Sequence, residues 1–163
     1  MKKDDRLAHI KLLIVDDERM IQRLVHDVLN SLGFQYIKIA SSGRAAIELV
    51  TNEDFDLIIT DWRMQDINGL DFVRFLRDQA HTPKGRIPII FLTGNAEARD
   101  VCEARDAGVN EYLIKPFTVQ QLIKKVRNIV DNPRRFIEAT TYKGPCRRHK
   151  NEVVYSKDDR RKR

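Results

Sequence analysis

A unit of sequence that recurs five times between residues 10 and 131 limits the possible folds more than any other feature. Each unit opens with a short apolar run rich in valine, isoleucine and leucine, and then places apolar residues at helical spacing. The apolar runs are IKLLIV (10–15), YIKIA (36–40), DLIIT (56–60), IPIIFLT (87–93) and EYLI (111–114). The helices predicted after them cover about residues 21–32, 42–52, 70–79, 96–107 and 119–130.

Strands that alternate with helices, with no hairpin signal between them, predict βαβ crossovers and a parallel sheet. The apolar runs are nearly continuous, which is typical of strands that are covered by helices on both faces. We therefore predict an α/β fold with a doubly wound parallel five-stranded sheet. In such a sheet, ligands and chemistry are found at the carboxyl ends of the strands.

Charged and hydroxyl side chains follow four of the five predicted strands. Asp16 and Asp17 follow the first strand, Asp61 the third, Thr93 ends the fourth, and Lys115 follows the fifth. Each alone has an ordinary explanation as a cap, a turn residue or a solvated charge. Together, clustered carboxylates repel one another and need cations, and oxygen ligands suit Mg²⁺. A phosphoryl group on Asp61 could then be held by Mg²⁺, Lys115 and Thr93.

The motifs VDDE, TDWRM followed by NG, FLTG and YLIKPF stand in this order at successive strand ends. This constellation resembles the receiver domain of bacterial two-component response regulators, over roughly residues 8 to 131. The resemblance implies a flavodoxin-like (βα)5 fold and a stand-alone, chemotaxis-regulator-like signalling switch. Such a switch takes a phosphoryl group from a histidine kinase or phosphotransfer protein and acts on a downstream target protein. It is not an ordinary enzyme, because it catalyses only its own phosphorylation and dephosphorylation.

The resemblance also assigns the phosphorylation site residue by residue. It makes Asp61 the phosphoacceptor, and it makes Asp16 and Asp17 the acidic pair that holds Mg²⁺ together with Asp61. The backbone carbonyl of Arg63 matches the further metal ligand. Gln65 stands where many receivers have proline, which predicts a less rigid loop after the acceptor.

The remaining matched positions concern the response to phosphorylation. Lys115 matches the lysine that pairs with the phosphoryl group, and Pro116 matches the position whose preceding peptide bond is usually cis. Thr93 and Tyr112 match the switch pair, in which the hydroxyl moves toward the phosphoryl group and the aromatic ring turns inward. This pair would couple phosphorylation to the face formed by the fourth helix, fifth strand and fifth helix.

The charge of the chain is concentrated at its C-terminal end. Residues 132–163 hold 11 of the 30 lysines and arginines and 4 of the 24 acids, so the rest of the chain is nearly neutral. We predict a receiver domain over residues 1–131 and a basic, flexible tail over residues 132–163. The tail could be a solubilising extension, a protein-docking segment or an anion-binding site that uses Arg147 and Arg148. It is too short for a DNA-binding domain, and we do not predict sequence-specific DNA binding.

Two other functions are open to a chain of this composition. An adaptor or anionic-ligand-binding protein could act mainly through its basic C-terminal tail. A haloacid-dehalogenase-type phosphatase also uses an aspartate nucleophile with Mg²⁺, but the position of its second acid is taken here by Arg63. No apolar run approaches the roughly 20 residues needed to cross a bilayer, so we expect a cytoplasmic protein without membrane insertion.

Overall fold

Five strands form one parallel sheet in the order β2–β1–β3–β4–β5. The computed structural model describes residues 4–94 and 97–147. The strands of this sheet are β1 (Lys11–Val15), β2 (Tyr36–Ala40), β3 (Leu57–Asp61), β4 (Ile89–Thr93) and β5 (Glu111–Ile114). The parallel five-stranded sheet predicted from the sequence is thus confirmed, and the strand order reverses beside β1, which is where ligand sites form in such sheets.

Five α-helices connect the strands and continue the chain after β5. They are α1 (Arg19–Leu32), α2 (Gly43–Asn52), α3 (Gly69–Asp78), α4 (Ala98–Ala107) and α5 (Val119–Asp131). Side chains of Ser42, Asn68 and Thr118 cap the N-termini of α2, α3 and α5, as their residue types favour. Within the described ranges, no helix is long and apolar enough to span a membrane.

Two apolar cores lie on opposite faces of the sheet. Alternate residues of β1 serve the two sides: Leu13 and Val15 join one core, and Leu12 and Ile14 join the other. The first core is closed by apolar residues of α2, α3 and α4, and the second by those of α1 and α5. Burial on both faces explains why every residue of β3 and β4 is buried.

A β-hairpin follows α5 and packs against α3 and α4. Strand β6 (Phe136–Ala139) pairs antiparallel with β7 (Tyr142–Pro145). The sequence after residue 132 has no sustained alternating pattern, and this hairpin was not predicted. Residues 136–147 of the predicted flexible tail therefore form part of the folded structure, whereas residues 148–163 lie outside the described residues.

Buried Arg77 of α3 contacts Phe136, the first residue of this hairpin. Its guanidinium donates to the carbonyl oxygens of Gly85, Ile87 and Gly108 at 2.7 to 3.1 Å, and it lies 5.4 Å from the ring centroid of Phe136. Burial lowers the pKa of Arg77 to about 10, which still leaves it charged at neutral pH. The helix, the connection before β4 and the hairpin are thus joined through one side chain.

Candidate functional site

Three carboxylates meet at the carboxyl ends of β1 and β3. Val15 pairs with Thr60 across these neighbouring strands, so the residues that follow them lie side by side. Ligand oxygens of Asp16, Asp17 and Asp61 all lie within 4.8 Å of one another. Asp16 and Asp61 are buried, whereas Asp17 is exposed. The three acids singled out in the sequence therefore share one site.

Lys115 reaches the same site from the end of β5. Its Nζ atom lies 2.9 Å from Asp61 Oδ1, 3.1 Å from Asp16 Oδ2 and 3.5 Å from Glu18 Oε1. Its side chain is only 16% exposed, so its ion pairs with the buried Asp16 and Asp61 are largely shielded from water, whereas Glu18 is exposed. The Lys115–Pro116 peptide bond that follows is cis.

Burial controls the electrostatics of this site. Burial raises the pKa of Asp16 and of Asp61, and the ammonium of Lys115 offsets this only in part. Burial alone would lower the pKa of Lys115, but the carboxylates of Asp61 and Asp16 outweigh it and raise the pKa. One ammonium thus faces four carboxylates, those of Asp16, Asp17, Glu18 and Asp61, and the excess of negative charge favours a second cation.

The donor set fits a magnesium ion. All three side chains offer carboxylate oxygens close enough to share one ion, which is the ligand type Mg²⁺ prefers. Few protein ligands are needed, because Mg²⁺ keeps several of its own waters and often binds a phosphate oxygen. Asp16, Asp17 and Asp61 could therefore hold Mg²⁺ beside Lys115.

The loop between β3 and α3 carries Arg63, the residue whose carbonyl was predicted to bind the metal. Arg63 itself is exposed, and the next residue, Met64, is buried. At the base of the loop the amide of Gly69 donates to the carbonyl of Trp62 at 2.8 Å. The ring of Trp62 packs against Phe91, with 5.1 Å between the ring centroids. The loop therefore begins and ends in fixed contacts.

The two predicted switch residues lie on β4 and β5. Thr93 ends β4 and is buried, and the register places it beside Ile114 of β5. Tyr112 lies two residues earlier on β5, is 38% exposed and has the Nζ of Lys125 at 5.4 Å from its ring centroid. Thr93 thus ends the strand next to the one that carries Asp61, and Tyr112 stands on the outer strand that borders α5.

Two residues that contribute to this region were missed in the sequence. Buried Gln22 of α1 donates to the carbonyl of Asp16 at 2.6 Å and to Ser41 Oγ at 3.2 Å. The helical spacing could have indicated that Gln22 is buried, because it lies on the same face of α1 as the core residue Val25. The second residue, Asp66, contacts α2 from the loop after β3 and gives no signal of its own in the sequence.

Arg147, one of the two predicted anion-binding arginines, contacts α4 and the hairpin. Arg147 Nη2 is 3.1 Å from Asp106 Oδ1 of α4, and its guanidinium carbon lies 3.9 Å from the ring centroid of Tyr142. Arg148 lies outside the described residues. Arg147 therefore makes intramolecular contacts on the hairpin side of α4, and anion binding by the tail stays a prediction.

Comparison with known proteins identifies the family. Residues 12–127 match the family model of the response regulator receiver domain. The chain is 35% identical over 123 residues to chemotaxis protein CheY-3 of Vibrio cholerae, covering 76% of this chain and 93% of the relative. It is 38% identical over 122 residues to chemotaxis protein CheY1 of Helicobacter pylori, covering 74% of this chain and 97% of the relative. The chain belongs to the response regulator receiver domain family, as the motifs indicated.

A solved structure supports the same conclusion. The receiver domain of a sensor histidine kinase from Pseudomonas aeruginosa PAO1 superposes with a TM-score of 0.66 at 29% identity, covering 75% of this chain and 98% of the other. That domain has a magnesium ion coordinated in its active site cleft. Receiver domains are phosphoacceptors of two-component signalling and not ordinary enzymes, and they bind Mg²⁺ in the acidic site. The match ends before the hairpin, which lies outside residues 12–127.

Proposed function

We propose that this protein is a phosphorylation-dependent signalling switch that accepts a phosphoryl group on Asp61. The observation that carries the proposal is the joint contact of Lys115 with Asp61 and Asp16 at 2.9 and 3.1 Å, beside the third carboxylate of Asp17. The donor would be a histidine kinase or phosphotransfer protein, and the output a change in affinity for a target protein. The cytoplasmic location expected from the sequence stays a prediction.

The chemistry follows from the position of the groups. A carboxylate oxygen of Asp61 attacks the phosphorus of the donor, the bond from phosphorus to the leaving nitrogen or oxygen breaks, and an acyl phosphate forms. Asp16, Asp17, Asp61 and the carbonyl of Arg63 would hold Mg²⁺, which offsets negative charge on the phosphoryl oxygens. The same residues would serve the protein's own dephosphorylation, in which water attacks phosphorus, the bond from phosphorus to the Asp61 oxygen breaks, and inorganic phosphate leaves.

Two side chains would bind the new phosphoryl group. Lys115 already contacts Asp61, so its ammonium can pair with a phosphoryl oxygen without a large movement. The hydroxyl of Thr93, at the end of the neighbouring strand, would donate to another oxygen. Movement of Thr93 would leave space for Tyr112 to turn inward from its partly exposed position. That rotation would change the surface of α4, β5 and α5 that a target protein contacts.

The phosphoacceptor can be tested with a small phosphodonor. The protein is incubated with Mg²⁺ and acetyl phosphate, and intact mass is measured for the native chain, Asp61→Asn and Asp71→Asn. Asp71 is a suitable control, because it is an exposed carboxylate on α3 outside the site. We expect one phosphoryl group on the native chain and on Asp71→Asn, and none on Asp61→Asn. A label that survives in Asp61→Asn, or no label on the native chain, would contradict the proposal.

The alternative is an adaptor that acts mainly through its basic tail. Deleting residues 132–163 would not separate the two functions, because it would also remove the hairpin that packs on α3 and α4. The deletion should begin after Arg147, which keeps the ion pair of Arg147 with Asp106. A switch that works through α4, β5 and α5 keeps phosphorylation-dependent target binding in this variant. Loss of all target binding with normal phosphorylation would favour the adaptor.

A further inference from the structure

A carboxylate in the loop between β3 and α3 binds the first turn of α2. Asp66 Oδ1 accepts from the amide of Gly43 at 3.0 Å, and Oδ2 accepts from the amide of Arg44 at 2.9 Å. Ser42 Oγ accepts from the next amide, that of Ala45, at 3.1 Å. These first amides of a helix have no partner within the helix, and the end of the helix favours negative charge. Asp66 therefore makes two strong hydrogen bonds to an element that is distant in sequence.

The loop and the helix are also in close backbone contact. A Cβ atom at Gly43 would lie 2.4 Å from the carbonyl oxygen of Ile67, so only glycine permits this approach. At its base the loop is closed by the hydrogen bond from Gly69 to Trp62. Arg63, whose carbonyl is the predicted metal ligand, lies between this base and the contact with α2. The segment that carries the ligand is thus held at both ends.

We propose that Asp66 is a positioning residue for the magnesium site. By binding α2 it holds the loop after β3 in the conformation in which the Arg63 carbonyl can serve as a ligand. The inference rests on the proposed function and names a residue that supports it without touching the metal. Gln65, where many receivers have proline, leaves this loop without the constraint of a fixed φ angle, and the bond to α2 supplies a constraint instead.

The expected effect of replacing Asp66 is a weaker affinity for Mg²⁺, with Asp61 still able to accept a phosphoryl group. If the loop samples other conformations in Asp66→Ala, the apparent dissociation constant for Mg²⁺ rises in inverse proportion to the fraction of molecules that keep the binding conformation. Outer residues that orient metal ligands typically change affinity by 10 to 100-fold, and we expect a rise of about tenfold. Because Asp61 and Lys115 are unchanged, acetyl phosphate should still label the variant when Mg²⁺ is saturating.

The test is a Mg²⁺ titration followed by the fluorescence of Trp62, the single tryptophan of the chain and the neighbour of Asp61. Ser42→Ala is the matched control, because it removes a cap from the same helix without touching the loop. Melting temperatures measured in parallel report the loss of helix stability in each variant. Asp66→Asn keeps one acceptor oxygen, so we expect it to have an intermediate affinity for Mg²⁺. This variant replaces Asp66→Ala in the test if the alanine variant does not fold.

Each result decides the question. A weaker affinity in the Asp66 variants, with native affinity in Ser42→Ala, supports the inference. Native affinity in the Asp66 variants, or an equal loss in Ser42→Ala, overturns it and leaves the proposed function intact. If the native chain neither binds Mg²⁺ nor takes up phosphate, the proposed function fails and the inference falls with it.

Discussion

Replacing Arg77 by alanine should destabilise the whole domain, because this side chain joins α3 to the connection before β4 and to the turn before β5. Arg77 is 3% exposed, and its guanidinium donates to the carbonyl oxygens of Gly85, Ile87 and Gly108. A buried acceptor that loses its donor costs about 1 to 3 kcal/mol. With three such acceptors, and some relaxation around them, we expect the free energy of unfolding to fall by roughly 3 to 5 kcal/mol. That is a large part of the 5 to 15 kcal/mol typical of a domain.

The assay is urea unfolding at neutral pH, followed by circular dichroism and by Trp62 fluorescence. Arg74→Ala is the control on the same helix, since Arg74 forms only surface ion pairs with Asp71 and Glu103, worth at most about 1 kcal/mol. Hydrogen exchange should also quicken at the amides of β6 and β7 in the Arg77 variant. A loss no larger than that of Arg74→Ala would refute the reasoning that the buried hydrogen bonds of Arg77 stabilise the domain.

Three further changes have defined outcomes. Lys115→Met removes the ammonium that pairs with Asp16, Glu18 and Asp61. It should therefore abolish phosphorylation and, with Mg²⁺ chelated, lower the free energy of unfolding by roughly 3 kcal/mol in a urea titration. Gly108→Ala should lower the melting temperature, because Gly108 has a φ of +94° and a Cβ there would lie 2.3 Å from the Lys143 carbonyl oxygen. Gly94→Ala is the control, because a Cβ at Gly94 would meet no atom of the described residues within 4 Å, and it should leave the melting temperature unchanged. The backbone amides of Arg44, Ile67 and Gly43 lower the pKa of Asp66 from 3.8 to about 2, so its stabilisation is complete above about pH 4 and is lost as pH falls through 2. The stability difference between the native chain and Asp66→Asn should shrink over that interval, and a constant difference would contradict this.

The sheet could be predicted because both faces of its strands are covered. A strand that is buried on both faces needs a continuous run of apolar residues. Such runs are easy to recognise here, because the segments between them place apolar residues at helical spacing. The site could be predicted for the same reason, since parallel strands bring residues such as Asp16 and Asp61 to one edge. Lys115 follows β5 of the same sheet, so its side chain can also reach Asp16 and Asp61 at that edge.

The hairpin could not be predicted, because tertiary contacts stabilise it. Strands β6 and β7 have four residues each and lack an alternating apolar pattern, and β7 contains glycine and proline, which disfavour strands. Arg77, which contacts Phe136 of the hairpin, stands in the last turn of α3. A cation at that position is ordinarily explained by its favourable interaction with the helix dipole. The role of Asp66 was hidden likewise, because its partners on α2 are more than twenty residues away.

The most direct test of the central claim is the identity of the bond that carries the phosphoryl group. After incubation with Mg²⁺ and acetyl phosphate, the protein is treated with hydroxylamine, which attacks the acyl carbon, releases inorganic phosphate and leaves a hydroxamate on the acceptor. Peptide mass spectrometry then locates that hydroxamate. The account predicts it on Asp61 alone, and only when Mg²⁺ is present during labelling. A label that resists hydroxylamine, or a hydroxamate on another carboxylate with Asp61 unmodified, would contradict it.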